Sequence, residues 1–267
     1  MKKLQINVHP TKLLLVTIAT FGGYFMLLFL VMAVNAYAIN PLRDEFNVNL
    51  KSGFYLISSI SYQSYLIGFM LVLYTIYFRI SLINGFLRKL EDENCINSKD
   101  ISKNLHKVAR IMDQISDTLE ATKISYCINT VMVLNQFIFF YILSHYSLIS
   151  YYFSFDASVF DLTFSIISLA WCGYYTPFTF WTFRYSNMIK KEGKTFEALI
   201  QNLVYKCDDP DVYRKVQLIH LQMFHRGPTV ESGGFTIDNK LSFSFMCVCF
   251  SYLIIIIQFE LKSLNLV

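Results

Sequence analysis

The chain has 267 residues, of which 54% are hydrophobic and only 16% are charged. Soluble domains average about 25% charged residues, so this composition excludes an ordinary soluble protein and indicates several membrane-spanning segments. The net charge of +4 is concentrated in particular loops, a pattern typical of membrane orientation and not of nucleic-acid binding. The partner that composition implies is the lipid bilayer.

Enzymatic motifs are missing from the sequence. It contains no His-Glu-x-x-His, no Gly-x-Ser-x-Gly and no phosphate-binding loop, and its cysteines show no metal-ligand spacing. We therefore expect neither an enzyme nor a bound metal or other cofactor.

Residues 1–78 contain two uncharged runs, Leu13 to Leu42 and Ser52 to Phe78, which predict the first two transmembrane helices. Pro41 ends the first helix, because proline cannot continue it. A cleaved signal peptide is the alternative for the first run, since Ala36-Tyr37-Ala38 has the form of a cleavage site. The apolar run is longer than signal peptides use, which favours a membrane helix.

Residues 79–123 are charged but keep an apolar repeat, which predicts a cytoplasmic helical anchor region that continues the second membrane helix past Arg79. Such a repeat needs a partner outside the membrane. Either an intramolecular hairpin or an oligomerisation surface fits the periodicity. The candidate assembly residues are Leu105, Val108, Met112, Ile115 and Leu119.

Residues 124–183 predict the third and fourth transmembrane helices, the fourth from Leu162 to Phe183 with a kink at Pro177. Residues 184–240 predict a second helical cytoplasmic loop. Within it, Asp209-Pro210 has the form of an N-cap followed by proline in the first turn, and Gly227-Pro228 ends that helix.

Polar and aromatic side chains inside the predicted helices are candidates for a ligand pocket. They would otherwise lie at the membrane interface or in interhelical hydrogen bonds, where such residues are common. The candidates are Tyr62, Gln63, Gln136 and Trp171.

Residues 241–267 predict a final transmembrane helix and an external tail, because Leu241 to Phe259 carries no charge and is long enough to cross about 30 Å of hydrocarbon. Its polar residues recur at helical spacing and so share one face, with isoleucine in the gap. This face predicts either close helix packing or the wall of an aqueous pore. The candidate pore-lining residues are Ser244, Cys247, Ser251, Ile254, Ile255 and Gln258, with Glu260 at the external mouth.

Basic residues alternate between loops, which predicts the topology. Lys and Arg are frequent in residues 1–12, 79–123 and 184–240, whereas residues 144–161 have none. The positive-inside rule places the N-terminus and both long loops in the cytoplasm, and five helices then put the C-terminus outside.

The final helix also resembles a family. Ser251-Tyr252, five apolar residues and then Gln258-Phe259 are similar to the signature of insect gustatory receptors, in which threonine usually precedes the tyrosine. Segments Gly234 to Asp238, Leu82 to Leu87 and Leu105 to Asp117 resemble the same family. The resemblance implies an all-α, multi-pass plasma-membrane receptor that is itself a ligand-gated cation channel, with the last helix lining the pore and carrying the gate motif.

What the resemblance implies for function is a taste receptor for a small-molecule tastant. It would pass monovalent and divalent cations as a homo- or hetero-oligomer, with four subunits expected. The family has seven helices and this sequence predicts the last five, as expected of a truncated isoform, an incomplete gene model or a short relative. A non-conducting partner subunit is the alternative. A secondary transporter is less favoured, because internal repeats and buried ionisable residues are not evident.

Overall fold

The structure is a computed structural model that describes residues 10–39, 46–92, 98–153, 159–206, 209–232 and 234–263. Helices dominate these residues, which confirms the predicted all-α class. The elements in order are α1 (Pro10–Ile39), α2 (Phe46–Asp92), α3 (Ser98–Phe153), α4 (Val159–Lys206), α5 (Pro210–His225), β1 (Glu231–Ser232), β2 (Phe235–Thr236) and α6 (Asn239–Ser263).

Three helices are much longer than a membrane crossing requires. α2, α3 and α4 have 47, 56 and 48 residues, whereas about 20 suffice. Each joins a predicted membrane segment to a predicted cytoplasmic helix without a break, as expected at Arg79. Pro177 lies inside α4, where the hydroxyl of Thr176 donates to the carbonyl of Cys172 at 2.7 Å.

Four helices of the described residues contain segments long and apolar enough to span a membrane: Leu15–Ala33, Ser64–Glu91, Ile101–Ile149 and Asn239–Phe259. The predicted fourth span, Leu162 to Phe183, is helical but lies outside this set. Its many tyrosine, threonine, serine and tryptophan residues make it less hydrophobic than the others.

By internal contacts the described residues divide into two compact units. The first unit lies within Phe69–Cys127 and Thr182–Asp238, and the second within His9–Gly68, Ile128–Trp181 and Asn239–Val267. Most of the predicted cytoplasmic regions, 79–123 and 184–240, belong to the first unit. The side of a membrane that each unit faces stays a prediction.

The core of the first unit is built from one apolar stripe per helix. Asn84 of α2 is buried there, and its amide donates to the Glu192 carbonyl and carboxylate at 2.9 and 2.6 Å. The buried apolar residues include Ile80, Ile83 and Leu87 of α2, Leu105, Val108, Met112, Ile115 and Leu119 of α3, Phe196, Ile200 and Leu203 of α4, and Val212, Val216 and Ile219 of α5.

Helix α5 lies along α3 in the same direction. Gln222 donates to Asp113 at 2.8 Å, and Arg226 pairs with Asp117 at 3.1 Å one turn later. The start of α5 is capped as predicted: the Asp209 carboxylate accepts from the Asp211 N–H at 2.9 Å, with Pro210 in the first turn. The helix ends at His225, just before Gly227-Pro228.

A short hairpin between α5 and α6 was not predicted. Strands β1 and β2 pair antiparallel, Glu231 with Thr236 and Ser232 with Phe235. Gly234 in the turn has φ of 89°, a conformation that favours glycine. Lys123 of α3 forms an exposed ion pair with Glu231 of this hairpin at 2.7 Å.

The second unit has an aromatic core. Trp171 of α4 stacks on Phe140 of α3 at 6.4 Å and meets Tyr174 and Tyr175 at 5.7 and 6.1 Å. In contrast to this buried core, α1 has exposed apolar side chains, among them Leu15, Phe25 and Phe29, as expected of a helix that faces lipid.

Candidate functional site

Helix α6 has one face that packs inside the second unit. Phe245 stacks on Phe137 of α3 with ring centroids 5.7 Å apart, and Phe250 meets Tyr141 edge-on at 6.1 Å. Cys249 and Leu253 lie on this side and are 0% and 8% exposed. Their spacing of four residues is that of one helical stripe, so α6 packs within the second unit along this line.

The opposite face of α6 carries the predicted pore-lining residues. At 100° per residue, positions 247, 251, 254 and 258 lie about 140–200° around the helix from Cys249. The structure leaves all six side chains exposed: Ser244, Cys247, Ser251, Ile254, Ile255 and Gln258. Polar surface and packing surface are therefore separated on one helix.

All four gate-motif residues are exposed. Ser251 and Gln258 belong to the exposed polar face, and the Ser251 hydroxyl donates to the Cys247 carbonyl at 2.9 Å. Tyr252 and Phe259 are 54% and 71% exposed. The side chain of Glu260, the predicted external mouth, lies outside the part of the structure described.

The residues just before α6 are anchored within the first unit. The Ser186 hydroxyl donates to the Ile237 carbonyl, and Lys190 pairs with the nearly buried Asp238 at 3.2 Å. The Ile237 N–H donates to the Val230 carbonyl at 2.9 Å. The chain therefore enters α6 from a fixed point on α4.

The predicted ligand residues do not form one pocket in the described structure. Trp171 is fully enclosed in the aromatic core, and Gln136 is half-buried on α3, one turn before Phe140. Tyr62 and Gln63 lie in α2, but their side chains are outside the described residues.

A cavity that the sequence did not reveal lies between α3 and α6. Its volume is about 420 Å³. The lining side chains are Asn135, Ile138, Phe139, Ile142, Leu143 and Tyr146 of α3 and Tyr252 and Ile256 of α6. The helical spacing of the α3 residues is visible in the sequence, but their pairing with α6 is not.

The predicted assembly residues of α3 are buried within a single chain. Leu105, Val108, Met112, Ile115 and Leu119 all belong to the core of the first unit. They are therefore not a subunit surface themselves, and the intramolecular alternative accounts for their burial. Exposed apolar side chains lie instead on α5, at Tyr213, Leu218, Leu221 and Phe224.

A family model and solved structures of known proteins both show similarity to this chain. A family model described as 7tm chemosensory receptor matches residues 7–263. Among solved structures, the chain is similar to the insect olfactory receptor OR5 from Machilis hrabei, determined in complex with eugenol. The two are 12% identical, with a TM-score of 0.63 over 93% of this chain and 70% of that chain, so this likeness concerns the fold. No curated protein matches the chain in sequence.

Proposed function

The chain belongs to the 7tm chemosensory receptor family, and we propose that it is a gustatory-type member, a ligand-gated, non-selective cation channel that opens when a small-molecule tastant binds. It acts in the plasma membrane as a multi-pass subunit, with a cytoplasmic N-terminus and an extracellular C-terminus. The observation that carries this proposal is the exposed polar face of α6 opposite its packed face.

Four copies of α6 around a common axis form the conducting path in this proposal. The exposed face supplies the hydroxyl groups of Ser244 and Ser251 and the amide of Gln258, which substitute for part of a cation's hydration shell. Ile254 and Ile255 interrupt this row. A ring of isoleucine in a narrow tube favours dewetting and holds the closed channel shut.

Charge along α6 supports cation passage. The residues between Lys240 and Glu260 carry no charge, so none of them repels a cation within the tube. Glu260 adds a ring of carboxylates at the external mouth in a tetramer, which concentrates both monovalent and divalent cations there.

The outer face of α5 is the proposed subunit contact. Leu218, Leu221 and Phe224 recur at helical spacing and are exposed, Phe224 to 81%. Monomeric proteins rarely leave a contiguous apolar stripe in water. A second copy of the chain, or a related receptor, covers this stripe. The buried residues of α3 hold α5 in place and so support assembly indirectly.

The motif supports a taste role over an olfactory one. Ser251-Tyr252, the apolar run and Gln258-Phe259 match the gustatory signature except for serine in place of threonine, which keeps the hydroxyl. A tastant is accordingly the proposed ligand.

Cysteine accessibility along α6 tests the pore. Native Cys247 already presents a thiol on the polar face, so an impermeant, charged thiosulfonate reagent should change ligand-evoked current in the wild-type receptor. Cys247→Ser should abolish that change. In the Cys247→Ser background, Gln258→Cys should restore sensitivity from outside, whereas the matched control Leu253→Cys, on the packed face, should not.

Membrane current is recorded from cells that express the chain alone and from cells that also express a full-length relative. Uniform or absent modification along α6, in cells that pass ligand-evoked current, would remove this helix from the pore. If the chain expressed alone passes no current, and the relative's current is unaltered in cells that express both proteins, the chain is the non-conducting alternative.

A further inference from the structure

The cavity between α3 and α6 is shaped by two helices that separate beside their aromatic contacts. Phe137 and Tyr141 of α3 bind α6 through Phe245 and Phe250. Beside these aromatic contacts, a space remains between α3 and α6. One stripe of α3 lines it on one side, and Tyr252 and Ile256 of α6, which lie one turn apart, line it on the other. The space of about 420 Å³ lies within the 300–1,000 Å³ typical of small-molecule sites.

The lining defines the chemistry of an occupant. Isoleucine, leucine and phenylalanine side chains dominate it, and none of the described lining residues is charged. Asn135, Tyr146 and Tyr252 also line it, but almost all of the surface that the cavity presents is apolar. A charged ligand would lose hydration without a partner here, whereas an uncharged, mainly apolar molecule would match the lining.

We propose that this cavity binds a small, uncharged, lipophilic molecule, and that its occupation alters the exposure of the polar face of α6. Of the predicted ligand residues whose side chains the structure describes, Gln136 and Trp171, neither lines this cavity. An occupant touches Tyr252, whose neighbour Ser251 lies on the exposed polar face. A ligand shifts a conformational equilibrium only through contacts that differ between the two states, and Tyr252 and Ile256 provide such contacts on a helix otherwise held by α3.

Binding is tested on the purified full chain in lipid nanodiscs, with a photoactivatable octanol that carries a diazirine ring. Adducts mapped by mass spectrometry should fall on the peptides that contain Tyr146 and Tyr252, and excess unlabelled octanol should remove them. Ile142→Trp, which fills the cavity, should reduce labelling about tenfold, equivalent to about 1.4 kcal/mol of binding. Ile256→Phe, a smaller filling, should reduce it in the same direction if Ile142→Trp fails to fold.

The matched control is Ile128→Trp, which adds the same ring to an exposed position of α3. Its labelling should equal that of the wild type. Adducts spread over all lipid-facing helices, or unchanged in the filled variants, would overturn the proposal. So would a phospholipid that co-purifies, resists octanol and disappears with Ile142→Trp, since the occupant would then be a bilayer acyl chain.

The effect on α6 is measured by thiol labelling, without recording membrane current. Thiol-labelling rates at Ser251→Cys, in the Cys247→Ser background, should change severalfold with octanol and stay constant in Ile142→Trp. An unchanged rate with octanol bound would overturn the coupling. The change at α6 amounts to gating only if the proposed function is correct, so this second step rests on it. Failure of photolabelling would disprove the binding site, whereas failure of the cysteine-and-current experiment would disprove the pore.

Discussion

Gly193 of α4 lies where the ring of Pro228 packs against the helix. Both residues are buried, and a Cβ at Gly193 would overlap the proline ring. Glycine inside a helix usually costs about 0.5–1 kcal/mol relative to alanine. At this position the contact outweighs that cost, because it fixes the loop after α5 to α4.

Gly193→Ala should therefore destabilise the receptor by about 1–3 kcal/mol, the usual cost of overpacking. Thermal unfolding of a fluorescently tagged receptor, followed by size-exclusion chromatography, measures the change. Gly85→Ala is the control in the same unit, since a Cβ there has open space; it should be neutral or slightly stabilising. Equal losses for both variants would argue against the close contact with Pro228.

The ion pair before α6 predicts an asymmetry between its two partners. Asp238 is 8% exposed, whereas Lys190 is substantially solvated. Lys190→Ala leaves a nearly buried carboxylate without this partner and should cost about 1–3 kcal/mol. Asp238→Asn leaves a solvated ammonium and should cost less.

Thermal stability compares these two variants with Lys123→Ala, whose pair with Glu231 is exposed on both sides. Exposed pairs contribute about 0–1 kcal/mol, so the control should change little. If Asp238→Asn is the more damaging variant, the pair does not stabilise the entry to α6 in this way.

At the scale of elements, α3 and α5 have opposite roles. Val108 and Met112 of α3 are buried in the first unit. Val108→Asp together with Met112→Lys puts charges into that core, where they are costly without partners. We expect loss of folded protein, seen as a missing monodisperse peak in detergent.

Leu221→Ser together with Phe224→Ser changes the exposed face of α5 and should spare the fold while breaking the oligomer. Mass photometry of the purified protein distinguishes monomer from tetramer. Gln217→Ser, an exposed polar change on the same helix, should leave the tetramer intact. An intact tetramer in the double variant would place the subunit contact elsewhere.

Local patterns in the sequence predicted much of each helix. The apolar repeat from Leu105 to Leu119 identified side chains that are buried, and Asp209-Pro210 identified a helix start, because both signals lie within one element. The resemblance read from the final helix is confirmed at the level of the chemosensory receptors by the family model.

What the sequence did not predict depends on how distant elements meet. The burial of the α3 stripe within one chain requires α5, more than a hundred residues further on. The cavity beside Tyr252 exists because α3 and α6 are separated there. The ligand candidate Trp171 is enclosed by aromatic side chains from two helices. No periodicity within one segment encodes these pairings.

At the scale of the whole molecule, the distribution of charge predicts the orientation. Residues 79–123 and 184–240 are rich in lysine and arginine, whereas residues 144–161 have neither. Moving basic loops across a membrane is disfavoured, so those two loops should remain in the cytoplasm. The continuous helices α2, α3 and α4 then carry the chain between the two environments.

Epitope tags test this orientation in intact cells. A tag at Cys95 should be labelled only after permeabilisation, because it lies in the first basic loop. Tags within residues 154–158 and after Val267 should be labelled on intact cells, since the former loop lacks basic residues and an odd number of crossings separates the two ends. Surface labelling of the tag at Cys95 would reverse the assignment of both long loops. A C-terminal tag reached only after permeabilisation, with the tag at 154–158 still external, would show that either α4 or α6 does not cross the membrane. A further tag at residues 207–208 separates the two cases: if it is also internal, α6 does not cross, and the proposed pore would fail with it.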